Sequence, residues 1–216
     1  MEKLSRIHLI EQESEKIGVV LSKEEVSQFE VYLQELTKWN EKTNLTGHKD
    51  EKSVISNLFI DSLAFLNVVK EKIRGSILDI GTGAGFPGLV IKIAEPSPSL
   101  TLVEPNLKKV SFLHHIIGTL GLKDVNVESK RIEGLAGARI YENAFDFIIL
   151  KALRFDVCFP YVRPLLREDG KVVVSRSKAH TEAIKIPGFF VKEEIFYQLP
   201  FGFGERVLVV LSPANN

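Results

Sequence analysis

The densest chemical signal in the chain is Ile77-Leu78-Asp79-Ile80-Gly81-Thr82-Gly83-Ala84-Gly85-Phe86-Pro87-Gly88. A glycine-rich run between a strand and a helix brings backbone N–H groups against a ligand. Glycine is needed there wherever a Cβ would block the approach or φ must be positive. The last six residues also spell G-x-G-x-x-G, which a nicotinamide or flavin dinucleotide could use. Asp79 separates the two readings. It stands two residues before Gly81, at the carboxyl end of a strand, where a pyrophosphate would face an uncompensated like charge. The ammonium of a methionine moiety would instead find a partner there, directly or through water. The amides around Gly81, Gly83 and Gly85 could serve the methionine carboxylate.

A second acid supports an adenosine. Glu104 closes Leu100-Thr101-Leu102-Val103-Glu104, about twenty residues beyond the loop, where a carboxylate can hold both ribose hydroxyls. NAD and S-adenosylmethionine share that ribose, so Glu104 does not distinguish them. Lys130-Arg131-Ile132-Glu133 follows the next strand and is the place for adenine to meet backbone and an acidic edge contact. Either acid alone could equally cap a helix or pair with a lysine. The loop with both acids in order favours S-adenosylmethionine, and a NAD-binding protein ranks last.

The elements that must position these groups follow from periodicity. Residues 1–75 read as a helical extension, with Ser22-Lys23-Glu24-Glu25 a capping box and Val26, Phe29, Leu33 and Leu36 one apolar stripe. That helix is predicted to stop near Asn40, before the polar Glu41-Lys42-Thr43-Asn44, and another to span 52–72. From 76 to 216, strands predicted at 77–80, 100–104, 125–128, 145–150 and 171–175 alternate with helices at 88–94, 107–120, 134–138 and 157–167. This is the βαβ pattern of a parallel sheet. Strands at 189–198 and 205–211 are joined by too short a link for a crossover helix, so they are antiparallel. The expectation is an α/β, class I (Rossmann-like) methyltransferase core: a doubly wound, mostly parallel sheet closed by an antiparallel hairpin.

Bulk composition narrows the setting. Lys+Arg and Asp+Glu both number 28 in 216 residues, so no global positive field draws in nucleic acid or an anionic membrane. An RNA target would need local basic clusters, for which Lys70, Lys72 and Arg74, Lys108-Lys109 and Lys130-Arg131 are candidates. The single cysteine, Cys158, rules out an internal disulfide and fits a reducing compartment. Met1-Glu2-Lys3-Leu4 opens a charged amphipathic segment rather than a signal peptide, and no stretch approaches the ~20 apolar residues of a membrane span. A cytoplasmic protein without a membrane partner is expected.

Asp79-Ile80-Gly81-Thr82-Gly83-Ala84-Gly85-Phe86-Pro87-Gly88 resembles the signature of the RsmG family, also called GidB. These bacterial enzymes methylate guanine N7 in small-subunit ribosomal RNA. The likeness extends to Trp39-Asn40, Asn44-Leu45-Thr46, Asp61-Ser62-Leu63, Leu107-Lys108-Lys109 with Phe112-Leu113, and Arg131-Ile132-Glu133, covering about 21–211. It implies S-adenosyl-L-methionine as cofactor, held at Gly81, Phe86, Glu104, Ile132 and Glu133, to which the reading above adds Asp79, Gly83, Gly85 and Lys151. It also implies a monomer acting on 16S rRNA in the small subunit or an assembly intermediate. Four places depart from the family pattern: Lys151-Ala152 stands for an Arg-Ala pair, Arg176 for a lysine, Leu58 for a histidine, and Ser212 to Asn216 for a basic tail. Lysine does not reproduce the planar fork of arginine.

The chemistry asks little of acids or bases. Guanine N7 carries a lone pair and no proton, so attack on a sulfonium methyl needs alignment and exclusion of water. Lys151 and Arg176, at adjacent strand ends, are the candidates for holding phosphate or the guanine O6 edge. Surface ion pairing is their alternative role. Phe86, Phe201 and Phe203 could stack a base. Cytosine C5 would need a nucleophilic cysteine, but Asp156-Val157-Cys158-Phe159 reads as core. Exocyclic amines call for an Asn/Asp-Pro-Pro-aromatic turn where Lys151-Ala152-Leu153-Arg154 stands. His114-His115 point about 100° apart on a helix, and no metal site is expected. Two further readings keep the cofactor: a different acceptor (another RNA, a protein or a small molecule), or a binding module that has lost catalysis.

Overall fold

The computed structural model describes residues 6–72, 74–151, 155–177 and 186–214. Seven strands form one sheet in the order β3-β2-β1-β4-β5-β7-β6. They are β1 (Ser76–Ile80), β2 (Ser99–Val103), β3 (Val125–Glu128), β4 (Phe145–Lys151), β5 (Leu166–Ser177), β6 (Phe189–Gln198) and β7 (Glu205–Pro213). The first five are parallel; β7 runs antiparallel to β5, and β6 antiparallel to β7. The chain reverses its lateral order between β1 and β4, which is where open α/β sheets bind ligands at their carboxyl ends.

Alternation along the strands sorts residues to two faces. Ile77, Phe147, Ile149, Val173, Leu208 and Val210 join one apolar cluster with the N-terminal helices α1 (Arg6–Lys16) and α2 (Lys23–Thr43). The same cluster takes in α3 (Glu51–Val69), α4 (Gly88–Ala94) and α5 (Leu107–Leu120). Leu78, Ile80, Ile148, Leu150, Val172, Val174, Val207 and Val209 face the opposite layer, with α6 (Ile132–Ala136) and α7 (Phe155–Val162). Cys158 is a buried member of this second layer.

Several boundaries differ from expectation, each for a local reason. The Ser22 capping box forms in full, but α2 runs to Thr43 because the stop is Asn44 in the left-handed region (φ 49°), its N–H donating to Asn40 O. The polar Glu41-Lys42-Thr43 simply makes an exposed last turn. Helix α3 begins at Glu51, behind the Asp50 cap, and contains a π-helical stretch, Ile55–Ile60. Strand β5 starts at Leu166, not 171, with an irregular register against β4 between Phe145 and Phe147. Helix α7 accordingly ends at Val162. The segment 51–69 has mean hydropathy 1.3 over a membrane-spanning length, contrary to the expectation that no stretch approaches one. Burial of 78% of that window inside the fold makes it a core helix.

Candidate active site

Asp79 is the penultimate residue of β1, on the face covered by the N-terminal helices, and is fully buried. Its Oδ2 accepts from Thr82 Oγ1 at 2.6 Å and from the Gly88 amide at 2.8 Å, so it ties both ends of the glycine loop together. Its Oδ1 is the one buried side-chain polar atom without a hydrogen-bond partner among the described residues. Burial raises its pKa to about 7, against the opposing effect of the Thr82 and Gly88 hydrogen bonds. An orphaned carboxylate oxygen under the loop is what an amino-acid ammonium would satisfy. The loop amides differ from expectation. Gly81 and Thr82 donate to Val103 O, Gly85 and Phe86 to Thr82 O, and Gly83 to Glu104. They hold the loop itself in shape.

Glu104 follows β2 and is nearly buried; its Oε2 accepts from Gly83 N at 3.0 Å and its Oε1 from Asn106 N at 2.9 Å. Those two bonds fix the carboxylate and leave lone pairs for two hydroxyls. It borders a cleft of about 370 Å³, within the range of small-molecule sites. Gly81, Gly83, Phe86, Lys109 and Lys151 also line the cleft, which Leu45, Thr46 and Leu58 border from α2's exit and from α3. Glu104 and Phe86 in the lining, with Asp79 buried at the base of the glycine loop, are a donor set that fits S-adenosyl-L-methionine.

The loop is clamped from above by α2. Tyr32 donates its hydroxyl to Ala84 O at 2.6 Å and stacks on Phe86, centroids 5.1 Å apart and rings 11° from parallel. Burial, then the nearby Asp79, raises the Tyr32 pKa well above its ordinary value, so it stays a donor. Gly85 is forced by this contact: it has φ +98°, and a Cβ there would lie 2.5 Å from the Tyr32 oxygen. Phe86 is thus half of a buried stack that also walls the cleft. Tyr32→Phe leaves Ala84 O unpaired and should lower unfolding free energy by about 1–3 kcal/mol. Urea denaturation checks this, and an unchanged midpoint would show that the clamp contributes nothing.

Lys151, at the end of β4, is deeply engaged. Its ammonium donates to Asn57 O at 2.5 Å and Ser62 Oγ at 3.2 Å and pairs with Asp61 Oδ2 at 3.2 Å. Burial lowers its pKa, and Asp61 opposes that shift. Asp61 Oδ1 in turn accepts from Tyr197 (2.6 Å, β6) and Ser175 (3.3 Å, β5). Asn57 Oδ1 accepts from Arg206 (3.2 Å, β7). Helix α3 is therefore tied to four strands, to β4 and β7 through Asn57 in its π-helical stretch and to β5 and β6 through Asp61 just beyond it; such stretches are frequent at functional sites. Asp61 entered the sequence reading only as part of a motif, and Asn57, Ser175, Tyr32 and Tyr197 not at all. Their signal is tertiary: 136 residues separate Asp61 from Tyr197.

Other expected residues fall elsewhere. Arg176 follows Ser175 on β5 and so projects to the opposite face from Lys151; the two do not converge. Ile132 is buried in the second apolar layer, and Glu133 is exposed in the first turn of α6. Lys72 pairs with Asp146 (3.0 Å) and Asp169 (2.8 Å) at the amino-terminal side of the sheet, so the 70–74 cluster is remote from the cleft. Lys130 pairs with Glu128 at 2.8 Å. Phe203 packs on the core, whereas Phe201 is exposed with φ 59° and lies beneath Lys52 at 5.6 Å. His115 bonds Glu35 at 2.7 Å. Residues 152–154 and 215–216, part of the expected departures from the family pattern, lie outside the described residues.

Five parallel strands closed by a reversed hairpin, with this loop and these two acids at their carboxyl ends, define a class I S-adenosyl-L-methionine-dependent methyltransferase. Solved structures share the architecture. A SAM-dependent methyltransferase from Aquifex aeolicus superposes with a TM-score of 0.52 at 16% identity, over 75% of this chain and 93% of that one. The ribosomal protein L11 methylase of Lactobacillus delbrueckii subsp. bulgaricus gives 0.54 at 15%, over 77% and 80%. The chain belongs to the GidB family, rRNA small subunit methyltransferase G, whose profile matches residues 25–191. It is 34% identical over 213 residues to the Ribosomal RNA small subunit methyltransferase G of Staphylococcus epidermidis RP62A, covering 94% of this chain and 89% of that protein. The protein of the same name in Carboxydothermus hydrogenoformans is 34% identical over 209 residues, covering 93% and 88%.

Proposed function

We propose that this enzyme moves the methyl group of S-adenosyl-L-methionine to N7 of a guanine in 16S rRNA. It acts as a monomer in the cytoplasm, on the small ribosomal subunit or an assembly intermediate. The observation that carries this reading is the family match across residues 25–191, which includes the cleft. The geometry is compatible with it. Cys158 is buried in the second layer, away from any thiolate role at the cleft, and N7 has no proton to be removed.

In this reading Asp79 holds the cofactor ammonium, Glu104 the ribose hydroxyls, and Gly81, Gly83, Gly85 and Phe86 shape the floor. Ile132 and Glu133, at the start of α6 and outside the cleft's lining, are the adenine positions that the family likeness implies. The cofactor supplies an electrophilic methyl on a sulfonium. The protein supplies alignment and dryness: Phe86, Leu45 and Leu58 exclude water, and Lys151 sets the charge of the wall while neutralising Asp61. Arg176, on the opposite face, has no part in this arrangement.

Deleting the gene should remove one 7-methylguanosine from small-subunit rRNA, and supplying it on a plasmid should restore the mark. An unchanged methylation map would reject the guanine-N7 assignment. Retained S-adenosylhomocysteine binding would then direct the search to a different acceptor.

A further inference from the structure

Beside the cofactor cleft lies a second depression, of about 520 Å³, between the last turn of α2 and the first turn of α3. The two share Thr46, which places the groove directly beside the cleft. The groove takes in Asn40, Asn44 and Thr46, residues that stood out in the sequence and that the cofactor site does not use beyond Thr46. Its construction is specific. Asn44 ends α2 in the left-handed region, which turns the chain so that Leu45 enters the core and Thr46 faces both spaces. Asn40 Oδ1 accepts from the Thr46 amide at 2.9 Å, and His48 Nδ1 meets Ser53 Oγ at 2.6 Å. Burial, and then the charge of Lys151, lowers the His48 pKa. The imidazole is thereby kept neutral beside the amides.

The lining sets amide, hydroxyl and imidazole groups beside the apolar side chains of Leu36 and Val54. Such groups read the edges of a heterocycle. At the rim stand Lys42 and Lys49, both exposed, and among the described residues neither is in an ion pair. One carboxylate, Glu41, also borders the groove. Two uncommitted ammonium groups around a polar slot suit phosphates flanking an unpaired base.

We infer that this groove is the substrate subsite, taking a single-stranded segment of the ribosomal RNA with its phosphates on Lys42 and Lys49. The inference rests on the proposed RNA target. The test uses the full chain and small ribosomal subunits from a strain lacking the gene, with filter binding and incorporation of a labelled methyl group into their 16S rRNA. Lys42→Glu/Lys49→Glu should weaken RNA binding at least about tenfold and flatten the salt dependence by roughly 1.5 (about 0.7–0.9 per phosphate contact). The affinity for S-adenosylhomocysteine, the control for folding, should be unchanged. Lys70→Glu, the same charge reversal at the remote end, should bind RNA as the wild type does. Unaltered RNA binding in the double variant would overturn the inference, as would equal losses in the double variant and Lys70→Glu. If the wild type binds this RNA through the two lysines yet incorporates no methyl, the groove stands and the guanine-N7 reading falls. If the wild type neither binds nor methylates it, both fall.

Discussion

Asp79→Asn should make the unliganded protein more stable at pH 8 and a poorer binder of S-adenosylhomocysteine. The aspartate is fully buried, and burial lifts its pKa from 3.8 to about 7. The folded chain thus holds this proton more tightly than the unfolded chain does. Its contribution to stability is complete below pH 3.8 and is lost as pH rises to about 7, beyond which it is flat. The full loss amounts to about 4 kcal/mol. Asparagine keeps an oxygen for the Thr82 hydroxyl and the Gly88 amide, so the loop clamp survives while the buried charge does not. The cofactor ammonium favours the ionised carboxylate, so wild-type affinity should fall below pH 7, by up to tenfold per unit. The variant should bind about 10- to 100-fold more weakly with that pH dependence removed. Urea melts and calorimetry at pH 6 and pH 8 measure both effects. Wild-type affinity in the variant would return Asp79 to a purely structural part.

Lys151→Met carries the largest expected cost to folding. Both partners of the Lys151–Asp61 pair are buried, at 8% and 6% side-chain exposure. Truncating the lysine leaves the Asp61 charge with only hydroxyl donors, an arrangement that costs about 3–5 kcal/mol. Adding Asp61→Asn should recover much of that loss, because the uncompensated charge disappears. Equilibrium unfolding of the single and double variants gives the coupling directly. Additive effects would show that the pair does not act as a unit. The same measurement separates two roles for Lys151, since a hand reaching for substrate would leave stability untouched.

What the sequence disclosed and what it hid divide along contact range. Asp79 and Glu104 were legible because each closes a short apolar run, and the loop after such a strand lies at the sheet's carboxyl edge whatever the rest of the chain does. The same locality made α4 and α5 readable to the residue. The Asp61–Lys151–Tyr197 network was hidden because its members lie on α3, β4 and β6, and only the strand order brings them together. The placing of Arg176 on the opposite face from Lys151 was hidden for a related reason. Adjacent strand ends look equivalent in sequence, but a single pleat sends neighbouring side chains to opposite layers. The overlong stop at Asn44 shows the converse, a polar run that remains helical until one residue adopts the left-handed region.

The hydroxyl of Tyr32 on the Ala84 carbonyl joins a helix near the amino terminus to the turn that cradles the cofactor. A ligand that steadies residues 81–88 must therefore steady α2 by the same free energy by which docked α2 favours the ligand. Because α2 also forms one wall of the lysine-rimmed groove, any occupant there that alters affinity in the cleft has its own affinity altered by the same factor when the cleft is filled.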